Sequence, residues 1–275
     1  MRDTTTSPSQ SPSSPAAPAR CAGEGLSSPW LMTRRTVRRP RYRLICLPYA
    51  GGGAGIFRDW PDLGPADVEI AAVQLPGRET RLRETLLTSV DQAIPPLARA
   101  LSPASEPCAR APLVLFGHSL GASIAAGLAD HLAAAGHPPA LLVVSGRRAP
   151  HLPAIKPPVH HLPDAELRAE IARMGGTPPE ILAHDELMAM VLPILRADFT
   201  ISETATREAD APLPCPVLAF AGNSDDEADE ASVAAWETLS PQGFTMKVLP
   251  GDHFFLHHHA ADMIAEIDAV QSRLP

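Results

Sequence analysis

Short apolar runs alternate with longer amphipathic stretches along most of the chain. The apolar runs predict β-strands at 42–48, 68–76, 112–117, 140–146, 216–222 and 244–251. Helical periodicity predicts helices at about 84–101, 120–135, 228–239 and 257–273. Near-continuous apolar strands separated by helices are typical of a mostly parallel sheet covered by helices on both faces. We therefore predict an α/β fold, with functional residues at the carboxyl ends of its strands.

The connection between the strands predicted at 140–146 and 216–222 is longer than one crossover helix requires. It begins with a proline-rich part, APHLPAIKPPVHHLP, and continues with amphipathic pieces. We interpret residues 147–212 as a helical lid inserted over the site. Its last piece has more apolar residues than one helix face needs, so some either line an acyl channel or only pack the lid onto the core. These residues are Leu187, Met188, Met190, Val191, Leu192, Ile194, Leu195 and Phe199.

The first 41 residues differ in composition from the rest of the chain. They are rich in Ser, Pro and Thr and lack a run that would bury apolar surface, which predicts a disordered tail before a single domain at 42–275. Arginines are concentrated there, and the segment RRTVRRPR, 34–41, is either a docking patch for an acidic partner or a solvated linker.

Overall charge and hydrophobicity exclude some function classes. The net charge of -8 over 275 residues gives no reason to expect nucleic acid as a partner. No apolar stretch has the length of a secretory signal or a membrane-spanning helix, so we expect a cytoplasmic protein with no membrane contact. The cysteines Cys21, Cys46, Cys108 and Cys215 lack C-x-x-C spacing, so we predict reduced thiols, with Cys46 in the core.

One motif in the chain carries a candidate nucleophile. In LVLFGHSLGAS, 113–123, Ser119 lies between Gly117 and Gly121. The residues before it predict a strand, and the alanine-rich stretch after it predicts a helix. A tight strand-to-helix turn needs glycines where a Cβ would clash, and it lifts the serine hydroxyl above the sheet edge. Ser119 is therefore either a nucleophile or a small residue in a tight turn, and this context favours the nucleophile.

A serine nucleophile needs a histidine base and a carboxylate that orients the histidine. On strand-end loops of this kind the chain order is serine, then acid, then histidine. Asp225 follows the strand at 216–222 most closely, while Asp226 and Asp229 are alternatives and Asp229 is better placed to begin the next helix. His253 lies in the loop after the last predicted strand. We predict Asp225 and His253 as the acid and the base.

The remaining histidines receive structural interpretations. His118 lies inside the turn and is expected to pack beneath it. The run at 257–259 places a histidine four residues after His253, a spacing that can hold a metal, but no acidic partner completes such a site. We therefore predict no metal, and we predict that this run and the lid residues His160 and His161 are solvated.

Hydrolysis also needs backbone donors for the oxyanion that forms on the substrate. We predict the N–H of Leu120, which follows the serine, as one donor. The glycine-rich loop LPYAGGGAG, 47–55, should supply the second, for which we choose Ala50 and next Gly51. A loop of this kind can also cradle phosphate, but the chain lacks the G-K-[ST] and G-x-G-x-x-G signatures.

Four segments together carry a family resemblance: LPYAGGGAGIFRDW, VQLPGRETRLRE, LFGHSLGAS and GDHFFL. From about Tyr42 onward the chain resembles the stand-alone type II thioesterases that accompany polyketide synthases and nonribosomal peptide synthetases. The resemblance implies an α/β-hydrolase fold with a flexible lid. It also implies hydrolysis of acyl thioesters on the phosphopantetheine arm of acyl or peptidyl carrier proteins, with no cofactor of the enzyme's own. Such enzymes clear misprimed or stalled acyl chains.

Carried onto this chain, the resemblance places the nucleophile at Ser119, the acid at Asp225 and the base at His253. Two positions depart from the family pattern. Asp226 stands where proline commonly follows the acid, and Leu120 stands where methionine is frequent.

We expect carrier proteins as partners of a monomeric enzyme. A cluster of arginines after LPG and at the lid entrance either meets an acidic carrier protein or is ordinary solvated surface. These are Arg78, Arg81, Arg83, Arg147 and Arg148. Two other functions fit the same residues: a general carboxylesterase or lipase, and a non-catalytic protein that uses the fold to bind a synthase.

Overall fold

A central sheet of seven strands organises the protein, whose computed structural model describes residues 28–101 and 111–274. The strands are β1 (Leu31–Thr33), β2 (Arg43–Leu47), β3 (Glu69–Val73), β4 (Leu113–His118), β5 (Leu141–Ser145), β6 (Val217–Gly222) and β7 (Phe244–Leu249). Their order across the sheet is β1-β3-β2-β4-β5-β6-β7. All neighbouring strands are parallel except β1, which runs antiparallel to β3. The α/β prediction is confirmed.

Helices cover both faces of this sheet and form the lid. They are α1 (Trp60–Leu63), α2 (Val90–Leu101), α3 (Leu120–Ala134), α4 (Asp164–Met174), α5 (Pro179–Leu182), α6 (Asp185–Thr204), α7 (Glu230–Ala234) and α8 (Ala260–Gln271). The predicted helices at 84–101 and 257–273 begin later, at Val90 and Ala260, because loop and 3₁₀ turns occupy their first residues.

Alternate residues of each strand face opposite sides of the sheet, which gives the protein two apolar layers. In β2, Ile45 and Leu47 belong to the layer under α2, α3 and α7, whereas Leu44 and Cys46 belong to the layer under α1 and α8. Cys46 is fully buried, as predicted, and Cys215 is buried too, while Cys21 and Cys108 lie outside the described residues.

The carboxyl end of the sheet has a topological switch point between β2 and β4. The chain leaves β2 for β3 on one side and then crosses to β4 on the other. Loops that diverge at such a point leave a crevice between them. The glycine-rich loop follows β2 and Ser119 follows β4, so both border this crevice.

The lid, residues 147–212, contains α4, α5 and α6 between β5 and β6. It has a small apolar cluster of its own, whose buried members are Val159, Leu167, Ile171, Met188, Leu192 and Leu195. Leu187 and Met190 of α6 are exposed. Met188 and Leu192 therefore pack within the lid rather than onto the core, and the exposed Leu187 and Met190 do not pack onto the core either.

The segment before the first predicted strand differs from our prediction of a disordered tail. Residues 28–41 are part of the fold, since β1 extends the sheet through β3. Carboxylates of the domain hold the basic segment: Glu69 accepts the Val37 N–H at 3.0 Å, and Asp268 binds Arg41 at 2.7 Å. The predicted tail boundary at residue 41 is therefore wrong for residues 28–41. Residues 1–27 lie outside the described part.

Candidate active site

Ser119 occupies the sharp turn between β4 and α3. Its backbone has φ +52° and ψ -116°, a conformation that non-glycine residues rarely adopt. The Ser119 N–H donates to the Ser145 carbonyl at 2.8 Å, so the neighbouring strand holds the turn. The turn places the residue at the wall of a cavity between the sheet and the lid.

The two glycines of the motif are required by close backbone contacts. A Cβ on Gly117 would lie 2.3 Å from the carbonyl carbon of Gly121, and a Cβ on Gly121 would lie 2.2 Å from the carbonyl oxygen of Leu47. Backbone atoms cannot move aside as a flexible side chain can. The turn therefore needs glycine at both positions, as the sequence analysis predicted.

His253, in the loop after β7, contacts both other residues of the predicted triad. Its Nε2 lies 3.0 Å from Ser119 Oγ. Its Nδ1 lies 2.8 Å and 3.0 Å from the two carboxylate oxygens of Asp225. A carboxylate accepts only, so it favours the tautomer with hydrogen on Nδ1. The free Nε2 lone pair then faces the serine hydroxyl and can take its proton.

The Asp225 side chain is buried and held by backbone donors. Its Oδ1 accepts the N–H groups of Glu227 and Ala228 at 2.8 Å and 3.0 Å. Burial alone raises the pKa of this carboxyl, but the hydrogen bond and electrostatic attraction of His253, with the backbone donors, bring the pKa below its usual value. Of the alternatives, Asp226 is exposed and Asp229 caps α7 through the Ser232 N–H at 2.8 Å.

His118 lies beneath the turn, as predicted, and it also holds the loop that carries His253. Its Nε2 lies 2.8 Å from the His253 carbonyl oxygen, and its Nδ1 lies 2.8 Å from Ser145 Oγ. Because the carbonyl only accepts, we assign the hydrogen to Nε2 and let Nδ1 accept from the serine hydroxyl. Burial first, and then the nearby His253, lower the pKa of His118 to about 3, so its ring is neutral.

The glycine-rich loop distinguishes between the two candidates for the second oxyanion donor. The Gly51 N–H donates to Asp198 Oδ2 at 2.7 Å and is therefore occupied. The N–H groups of Ala50 and Leu120 donate to no other group in the described ranges. Ala50 lines the same cavity as Ser119. Beside it, the Tyr49 hydroxyl lies 2.9 Å from Nε2 of His257, which is exposed, as predicted.

The cavity between lid and sheet has a volume of about 690 Å³. Ser119 and His253 lie at its wall, and Leu195 and Phe199 of α6 also line it. These two lid residues fit the acyl-channel interpretation. On another part of the wall, Lys156 of the lid binds Glu227 at 2.6 Å.

The predicted arginine cluster is largely committed to contacts within the chain. Arg78 and Arg81 are only 5% and 7% exposed, so they are not available to meet a carrier protein. Arg147 donates to Ser202, and Arg148 donates to carbonyl groups of the lid. Arg83 alone of this cluster is exposed. The surface interpretation is thus wrong for Arg78 and Arg81.

Sequence reasoning missed the partner of Arg78. The guanidinium binds both carboxylate oxygens of Asp198 at 2.6 Å and 2.8 Å. A signal was present in α6, where Asp198 falls on the buried helical stripe that Leu195 and Ile201 also occupy. A carboxylate on such a stripe requires a buried partner.

The described residues also bear on the questions of a metal site, the lid histidines and a membrane-spanning helix. Within residues 28–101 and 111–274 no three His, Cys, Asp or Glu side chains come together in a way that could hold a metal ion. His160, predicted to be solvated, instead lies 2.5 Å from Glu203 through its Nδ1. No helix in these ranges is both long enough and apolar enough to cross a membrane.

Comparison with known proteins identifies the family. The family model for a thioesterase domain matches residues 42–270. The gramicidin S biosynthesis protein GrsT of Aneurinibacillus migulanus is 36% identical over 86% of this chain and 91% of its own length. Thioesterase PikA5 of Streptomyces venezuelae is 41% identical over 83% of this chain and 80% of its own. The solved structure of YbtT, a type II thioesterase from the yersiniabactin NRPS/PKS biosynthetic pathway, has a TM-score of 0.78 at 33% identity, covering 86% of this chain and 96% of that one.

The family match covers strands β2 to β7, the lid and the predicted triad together. These comparisons favour the thioesterase prediction over a general carboxylesterase, a lipase or a non-catalytic binding protein. They also confirm the fold that the resemblance implied. We conclude that this chain is a hydrolase of the thioesterase family, built on the α/β-hydrolase fold and grouped with the type II enzymes of polyketide and nonribosomal peptide biosynthesis.

Proposed function

We propose that this enzyme releases acyl groups from the phosphopantetheine arm of acyl or peptidyl carrier proteins. One observation carries the proposal: the hydrogen-bonded chain from Ser119 through His253 to Asp225 opens into a largely apolar cavity. The names of GrsT and YbtT, which refer to gramicidin S and yersiniabactin biosynthesis, support a role in such a pathway. The substrates are then aberrant or stalled chains, whose removal restores the carrier protein.

In the first half of the reaction, Ser119 Oγ attacks the thioester carbonyl carbon while His253 Nε2 takes the hydroxyl proton. The carbonyl oxygen becomes an oxyanion, and the N–H groups of Ala50 and Leu120 stabilise it. The carbon–sulfur bond then breaks. The pantetheine sulfur leaves as a thiol with the proton that His253 held, and the acyl group remains on Ser119.

In the second half, water attacks the acyl-serine ester. His253 takes a proton from this water and returns a proton to Ser119 Oγ as the ester breaks, so the acyl group leaves as an acid. Asp225 keeps the imidazole oriented and stabilises its positive charge in both halves. This chemistry requires no metal and no cofactor of the enzyme's own, since the phosphopantetheine belongs to the substrate.

The cavity walls suit an acyl chain that enters beside the lid. Apolar side chains such as Leu195 and Phe199 contact the chain, while the reacting carbonyl lies between Ser119 and the Ala50 N–H. The cytoplasmic location and the monomeric state predicted from the sequence belong to this proposal.

The test is release of free acid from acetyl-, propionyl- and longer acyl-phosphopantetheinyl carrier proteins, with Ser119→Ala as the control. We expect hydrolysis by the wild type and none above background by the variant, which should retain its circular dichroism spectrum and melting temperature. Brisk cleavage of simple oxyesters without release from any carrier protein would instead support a general carboxylesterase.

A further inference from the structure

We propose that Arg78 and Asp198 are positioning residues that fix the oxyanion donor at Ala50 and make it depend on the position of the lid. The inference rests on the proposed function, because that function assigns the oxyanion to the Ala50 N–H. It concerns residues that do not contact the reacting atoms themselves. They would act through the oxyanion loop, which we define as residues 48–53.

The pair joins two distant parts of the chain. Asp198 belongs to lid helix α6, and Arg78 follows β3 at the edge of the crevice. Two hydrogen bonds of 2.6 Å and 2.8 Å connect the guanidinium to both carboxylate oxygens. Their side chains are 6% and 1% exposed, so water does not screen the pair. Such a planar two-bond contact fixes the orientation of both partners.

The same two side chains hold the oxyanion loop from both sides of Gly51. Asp198 Oδ2 accepts the Gly51 N–H at 2.7 Å, and Arg78 Nη1 donates to the Gly52 carbonyl at 3.2 Å. The first contact fixes the peptide plane between Ala50 and Gly51. The Ala50 N–H belongs to the preceding peptide plane, which shares the Ala50 α-carbon with this one, so a loop movement that displaces this α-carbon would also displace the Ala50 N–H.

Without Asp198, the Gly51 N–H would also lose its acceptor. Gly51 has φ +78°, a conformation that glycine adopts at little cost and that gives the loop alternatives once its contacts are removed. The freed Gly51 N–H would then compete with the Ala50 N–H for the oxyanion. Such a loop is a poorer oxyanion site than one with a single fixed donor, because fixed dipoles stabilise developing charge best.

The pair also connects the loop to the lid. Leu195, three residues before Asp198 in α6, packs directly on Gly51, since a Cβ placed there would lie 2.6 Å from Leu195 Cδ2. Leu195 also lines the cavity. A shift of α6 by about 1 Å would therefore break the short contacts of Asp198 and, at the same time, move the cavity wall at Leu195. The oxyanion site is complete only when this helix is docked.

Variants must separate this role from simple stabilisation, because removal of one partner leaves an unpaired buried charge. The double variant Arg78→Met/Asp198→Leu removes both charges and keeps apolar volume. The control is Arg207→Met/Asp130→Leu, which removes a second, more exposed arginine–carboxylate pair between lid and core, with contacts of 2.5 Å and 3.1 Å. Asp130 lies in α3, and this control pair contacts neither the oxyanion loop nor the cavity lining.

The readouts are kcat and KM on a small activated ester, the melting temperature, and the inhibition constant of an alkylboronic acid, which forms a tetrahedral adduct with a serine nucleophile. For Arg78→Met/Asp198→Leu we expect kcat and boronate affinity to fall together by about 30-fold or more, with KM within about threefold of wild type. The control should keep both within about threefold. A folded double variant that keeps kcat and boronate affinity, or that changes KM alone, overturns the proposal.

Should the double variant not fold, Arg78→Lys gives the same test, because lysine keeps the charge but cannot bind two carboxylate oxygens and the Gly52 carbonyl in one plane. A lower kcat at unchanged KM supports the proposal, and unchanged kcat in a folded variant overturns it. Neither assay uses a carrier protein. An enzyme that fails on carrier thioesters but shows these effects would refute the proposed function and retain this inference.

Discussion

At the scale of single residues, Ser119 combines a reactive position with a strained backbone. A non-glycine residue at its φ of +52° carries about 1–3 kcal/mol of strain. Glycine would release most of this strain but would lose about 0.5–1 kcal/mol through the entropy of the unfolded chain. We expect Ser119→Gly to be more stable than Ser119→Ala by about 1 kcal/mol. Urea unfolding of the two inactive variants measures the difference, and equal stabilities would contradict the strain.

His118 makes stability depend on pH. Its pKa of about 3 in the folded protein lies below the ordinary value of 6.5 in the unfolded chain. The unfolded state therefore binds more protons as the pH falls from about 6.5 toward 3, and folding stability is lost in that range. Above pH 6.5 both states hold a neutral ring, and this contribution no longer changes with pH.

The corresponding prediction compares wild type with His118→Gln, whose amide can still donate to the His253 carbonyl but does not titrate. Between pH 7 and pH 5 the wild type should lose about 2 kcal/mol more stability than the variant. Urea unfolding at the two pH values measures this difference. Parallel pH profiles would show that His118 is not held neutral.

Asp225 and Asp226 provide a matched pair of neighbouring carboxylates. Asp225 binds His253, whereas Asp226 is exposed. We expect Asp225→Asn to lower kcat by about 10⁴, because an amide favours the wrong imidazole tautomer. Asp226→Asn should stay within about twofold of wild type. Steady-state hydrolysis of one activated thioester measures both variants, and a silent Asp225→Asn beside an impaired Asp226→Asn would reverse the assignment.

The sequence could locate the catalytic residues because each lies directly after a predicted strand. Ser119, Asp225 and His253 each follow a strand in the expected order, and the structure brings them together. The roles of His118 and Asp198 were not predictable in this way. Their partners, the His253 carbonyl and Arg78, lie 135 and 120 residues away in the chain, and only the fold brings them near.

At the scale of secondary structure elements, lid helix α6 has two differently exposed apolar sets. Phe199 lines the cavity, whereas Met190 of the same helix is 55% exposed. Phe199→Ala should enlarge the cavity and favour longer acyl chains. With about 0.8 kcal/mol for each buried methylene, two more methylenes should raise relative kcat/KM about 15-fold.

The measurement compares acyl thioesters that differ by two methylenes, for wild type, Phe199→Ala and the control Met190→Ala. The control removes a similar apolar side chain from the same helix but not from the cavity, so its chain-length preference should match wild type. An equal change in both variants would mean that the lid acts through its overall stability rather than through Phe199.

The interior of the elements was more predictable than their ends. Fully buried, mostly apolar strands such as β5 and β6 leave one interpretation, because both faces are covered. Strand β1 was missed because it has only three residues and owes its conformation to pairing with β3. Likewise α8 begins three residues later than the periodicity indicated, since a 3₁₀ turn at Phe255–His257 precedes it.

At the scale of the whole molecule, the basic segment before β2 is both solvated and tied to the domain. Its residues Arg34, Arg38, Arg39 and Arg41 are exposed, as the linker interpretation expected, but its contacts with carboxylates of the fold could not be read from the charge distribution. Here Glu69 and Asp268, from β3 and α8, bind residues of that segment. The matched region of the family, 42–270, therefore begins after residues that already belong to the sheet.

The central claim is that Ser119 takes the acyl group from a carrier-bound thioester. The most direct measurement mixes the enzyme with an acyl-phosphopantetheinyl carrier protein, quenches within milliseconds and maps the acyl mass by peptide mass spectrometry. We predict a transient acyl adduct on the peptide that contains Ser119, absent from Ser119→Ala. Release of free acid without any adduct on that peptide, or release that persists in Ser119→Ala, would contradict the account.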